Sequence, residues 1–102
     1  MAKNLLDLRV SEPAQIARAS LGEEDRRRVA AWFDHLRNWH NDPFLRSESR
    51  KLKPDEELYA LQTSNEDLVL VFRISGEEVH VVTIVDRGWL RAFETGRERS
   101  AV

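Results

Sequence analysis

Between Leu58 and Val85 the chain reads LYALQTSNEDLVLVFRISGEEVHVVTIV, and few folds can accommodate such a stretch. Residues 58–63 alternate large apolar with small or polar side chains, 68–74 are apolar at nearly every position, and 79–85 are dominated by β-branched residues. Each run has strand composition and strand length. Ser64-Asn65-Glu66-Asp67 carries turn chemistry, and Ser75-Gly76 fits a short hairpin, so three successive strands should run antiparallel. A strand with one wet face would show polar residues at every second position, whereas 68–74 does not. The middle strand is therefore expected in the sheet interior.

The remaining sequence supplies helices to cover such a sheet. Residues 5–10 (LLDLRV) predict a first strand, and Ser11, with Glu12 and Pro13 behind it, predicts the start of a short helix over 13–19. Ser20-Leu21-Gly22-Glu23 has the spacing of a capping box, so a second helix is expected from there to about His40. Val29, Trp32, Phe33, Leu36 and Trp39 recur on one face of it, and its first turn is acidic. Asn41-Asp42-Pro43 should end it. Residues 44–57 read as a polar connector carrying Arg46, Arg50, Lys51 and Lys53; 87–93 predict a last helical turn, and 94–102 a frayed tail. The expected architecture is α+β: two N-terminal helices packed on an antiparallel or mixed sheet of about four strands.

Length and charge narrow what this architecture can do. With 102 residues the chain is expected to form one domain. It has no cysteine, which excludes disulfides and thiolate metal sites, and no stretch suited to a signal peptide or a membrane span, so a cytoplasmic location with no membrane partner is expected. His35 and His40 fall on different helix faces and His80 lies in another element, so neither a metal nor another cofactor is expected. The 16 lysines and arginines are outnumbered by 18 acidic residues, giving a net charge of -2, against the basic excess usual in nucleic-acid-binding domains.

The helix ending in HLRNW, the basic connector and strand RKLKPDEELYAL, and the strand pair LVLVFRISGEEVHVVTIVDR, in that order, resemble the RelE/ParE toxin superfamily over residues 5–93. The resemblance implies a small bacterial toxin held inactive by a cognate antitoxin protein. RelE-like members cleave mRNA in the ribosome and ParE-like members inhibit DNA gyrase, so the ribosome with its mRNA, or gyrase, is the implied target. RelE-type cleavage needs no metal: the RNA 2′-hydroxyl attacks the adjacent phosphate while the protein supplies acid, base and cations. By resemblance, Arg87 matches the arginine after the last strand, Arg73 partly substitutes for a missing central-strand cation, and Arg50, Lys51 and Lys53 form the RNA-binding region. Other positions depart from the pattern. Ala60, Gln62 and Val69 stand where basic side chains are expected, and Phe93 stands where a tyrosine is expected. A positioned acid or base contributes roughly 10²- to 10⁴-fold and each lost electrostatic donor removes roughly a further 10²- to 10³-fold, so mRNA cleavage is expected to be weak or absent.

Plainer readings stand beside these. Arg73 and Arg87 can pair with neighbours such as Glu77 or Asp86, and the arginines at 26–28 with the acids before them, as Arg28 with Glu24. Two functions from different classes follow: a RelE/ParE-like toxin, or a non-catalytic protein-binding module on the same fold.

Overall fold

The computed structural model describes residues 5–63, 68–89 and 92. Strand β1 (Asp7–Val10) leads into helix α1 (Glu12–Ala19) and helix α2 (Glu23–Arg37). A 3₁₀ turn (Trp39–Asn41) and a short helix α3 (Pro43–Glu48) follow, then β2 (Arg50–Lys51), β3 (Leu58–Gln62), β4 (Val69–Ser75) and β5 (Glu78–Val85). The five strands form one mixed sheet in the order β1-β5-β4-β3-β2, with β1 parallel to β5 and the other pairs antiparallel. Residues 87–89 are helical, as expected, while the 64–67 turn, Phe93 and the 94–102 tail lie outside the described residues.

The apolar run at β4 sits at the centre of the sheet and is covered on both sides. Leu70, Phe72 and Ile74 face the helices, packing with Ala14, Val29, Phe33, Leu36, Trp39 and Leu45. Val69 and Val71 face the other way, into a smaller cluster with Leu52 and Ala60. Burial on both faces is what removes the polar alternation from this strand. The hairpin into β5 turns on Gly76, whose φ of 58° is the only positive value among the described residues. Positive φ at the first central position alone is the type II′ pattern, which suits the twist of the strands it joins.

Across from β4, Val71 lies opposite Thr83 and Phe72 opposite Val81, leaving Val82 as the extra residue of a bulge. Ser11 ties down this irregularity. Its N–H donates to the Val81 carbonyl (3.0 Å), its hydroxyl donates to the Val82 carbonyl, and the same oxygen accepts the Ala14 N–H to cap α1.

Three local expectations need correction. The capping box does not form: Ser20 is still in the last turn of α1, with φ −81° and ψ −9°, and donates to the Ile16 carbonyl. An N-cap needs extended backbone, and that role passes to Gly22, which has no side chain to contribute. Helix α2 ends at Arg37, and the 3₁₀ turn then swings Trp39 into the core at 5% exposure. The supposed connector holds α3 and β2. Asp42 accepts the Leu45 N–H at 3.0 Å and Pro43 follows it, so the residues expected to end α2 instead start α3.

Candidate functional site

Sheet register decides which cations can work together. Residues opposite one another in antiparallel strands share a face. Arg50 lies opposite Ala60, and Ala60 opposite Val71, which puts Arg50 on the face away from α1 and α2. Arg73 shares that face, exposed, with Leu58 on one side and His80 on the other. It makes no ion pair among the described residues, so the expected pairing with Glu77 does not form there. By strand spacing the Arg50 and Arg73 backbones are roughly 12 Å apart, within reach of one extended ligand. His80, directly beside Arg73, is a neighbour that the linear sequence does not announce; only the hairpin register brings the two together.

Lys51 and Lys53 stand against carboxylates. Lys51 Nζ stands 3.4 Å from Glu57 Oε1, and Lys53 Nζ 3.3 Å from Glu56 Oε2. Lys51 also lies opposite Tyr59, whose hydroxyl donates to Glu57 Oε2. Partial burial, then the hydrogen bond and charge of Glu57, push the Tyr59 phenol up to about 12, while the Tyr59 hydrogen bond holds the Glu57 carboxyl below its ordinary value. A phenol so firmly protonated cannot serve as a base near neutral pH, and its proton is already engaged by Glu57. Its ring is committed as well, 4.7 Å from Trp39 and 5.7 Å from Phe72 between centroids. In the sequence Tyr59 is marked only as a strand residue; the β2–β3 pairing that sets it beside Lys51 and Glu57 is what gives it a place here.

Arg87 lies at the opposite end of the sheet. Val69 is opposite Val85, so Arg87 falls beyond the Val69 end, and Arg73 is four positions further along β4. That is about 13 Å along the strand alone, too far for both guanidinium groups to hold one phosphate without moving the backbone. The Arg87 Nε is closed off from solvent and hydrogen-bonds to nothing among the described residues; Asp86, its expected partner, accepts the Trp89 N–H at 2.9 Å instead. Ala60 (2% exposed) and Val69 (0%), at the positions where the resemblance expects cations, are buried in the smaller cluster, where a charge would be desolvated.

A separate concavity opens beside the helices, a groove of about 580 Å³ between the second half of α2, helix α3 and the end of β3. Leu45 and Leu61 line it as buried residues, with half-buried Trp32 and exposed Phe44 also on its walls. No cluster of three or more metal-ligating side chains occurs among the described residues, and no helix there is long and apolar enough to cross a membrane.

The element order and the helix-backed mixed sheet define an α+β protein with a ParE-like fold. No protein-family model matches the chain, and no curated protein matches it. Among solved structures, the chain is similar to one from the "Chromosomal ParDE TA system from P. aeruginosa", with a TM-score of 0.58 and 12% identity over 82% of this chain and 98% of that one. At such identity the likeness establishes the fold.

Proposed function

We propose that this chain is the toxin-fold member of a bacterial toxin–antitoxin pair, bound by a cognate antitoxin protein and carrying little or no RelE-type mRNA cleavage. The observation behind the first part is the shared fold, which extends over nearly the whole of the ParDE-system chain. The second part is supported by the scatter of the cations: Lys51 and Lys53 face carboxylates, Arg73 and Arg87 are held at opposite ends of β4, and the one tyrosine is locked as a donor to Glu57. A toxin acting on gyrase needs none of these groups to converge, so that target remains compatible with the geometry.

Induced expression in a bacterial host without an antitoxin should arrest growth. Translating ribosomes mixed with the purified chain should show little cleavage, and whatever cleavage occurs should not depend on Arg87. Strong cleavage lost in Arg87→Ala or Arg73→Ala would refute the non-nuclease part; normal growth at confirmed folded expression would refute the toxin part. In that event the non-catalytic binding module is the better reading, favoured by the apolar residues buried at Ala60 and Val69.

A further inference from the structure

We infer that the groove between α2, α3 and β3 docks a partner segment that carries an apolar anchor flanked by lysine or arginine. The inference names the chemistry of the partner in the proposed function and rests on there being a protein partner. Phe44 is 71% exposed, far more than any ring in the core, although α3 is well fixed beneath it through buried Leu45 and the Asp42 cap. A rigidly held, solvent-facing phenyl group beside a half-buried indole is an anchoring surface rather than a loose end. The groove's volume of about 580 Å³ has room for several side chains.

Charge selects the occupant. The lining includes two carboxylates, Asp42 and Glu48, one histidine, His35, and neither lysine nor arginine. Asp42 uses one oxygen to cap α3, and Glu48 is exposed with no ion pair among the described residues. The nearby Arg46 is turned away from this rim, donating to the Trp39 carbonyl at 2.7 Å. An acidic segment would meet uncompensated like charge here, whereas a basic one gains both steering and a partner for Glu48.

The test uses two fluorescein-labelled amphipathic peptides of roughly twelve residues, one of leucine and lysine, the other of leucine and glutamate, titrated into the whole chain and followed by anisotropy. The lysine peptide should bind saturably and the glutamate peptide should not. Phe44→Ala should weaken binding about 10-fold or more, and Glu48→Lys about 5-fold. Both positions are exposed, and circular dichroism of each variant should overlay the parent. Equal binding of the two peptides, no binding, or binding unchanged in both variants would overturn the inference. So would a self-associated chain that Phe44→Ala dissociates in sedimentation, because the occupant would then be a second copy. None of these results touches the growth assay, so failure of the groove and failure of the toxin reading remain separable.

Discussion

Replacing Phe72 with alanine should remove a large share of the stability of this fold. The side chain is fully buried at the centre of β4, its ring edge-on to Trp39 at 5.5 Å and stacked near Tyr59 at 5.7 Å. Truncating a buried phenylalanine costs about 3–5 kcal/mol through lost transfer energy and the cavity left behind. A domain of this size holds only about 5–15 kcal/mol in total. Urea unfolding followed by far-UV circular dichroism should therefore show the midpoint falling by roughly 2–3 M, given a slope near 1.5 kcal/mol/M. Phe72→Leu separates ring geometry from volume and should cost about 1–2 kcal/mol. A double-mutant cycle of Phe72→Leu with Trp39→Leu should return a coupling of about 0.5–1.5 kcal/mol. A midpoint shift below about 0.5 M for the alanine variant, or strict additivity in the cycle, would refute the reading that these rings fasten the 3₁₀ turn after α2 to the sheet.

Tyr59 is the single tyrosine, so tyrosinate absorbance reports it alone. In the folded chain it should titrate near 12, against about 10 in the unfolded chain. Because the folded value is the higher one, the stability it contributes is complete below about pH 10 and is lost as pH rises through about 12. Glu57→Gln should bring the midpoint down without returning it to the unfolded value, since burial is the leading cause; an ordinary midpoint in the folded parent would contradict this. Gly76→Ala should destabilise by about 1–2 kcal/mol through backbone strain alone, because nothing lies within 4 Å of the added methyl group. A neutral or stabilising result in thermal melts would mean that the hairpin is built on another turn type.

The legible parts of the sequence were those where one physical cause acts over many residues. The apolar run at β4 announced a strand covered on both faces, and the spacing of Val29, Phe33 and Leu36 announced the buried side of α2. What was misread turned on one or two residues with double meanings. Asp42-Pro43 reads equally as the stop of one helix or the start of another and is the start of α3, and Ser20 can cap either of two helices until the backbone decides which. The extent of the candidate site was unreadable for another reason. The identities of Lys51, Lys53, Glu56 and Glu57 were plain, but which carboxylate meets which cation depends on the β2–β3 hairpin, and β2 is too short to show a strand pattern. The same holds for Arg73 and His80, which only pairing across the Gly76 turn makes neighbours.

The parallel seat of β1 beside β5 has a kinetic consequence. Among the described residues the first strand pairs with β5 alone, as the Leu8–Val79 register shows, so β5 must be made before that edge can close. Helices α1 and α2 emerge early with their apolar faces bare and must wait for the sheet that will cover them. Closing so long a loop slows folding relative to the local hairpins. Until β5 is made, the apolar faces of these helices therefore lack the sheet that buries them.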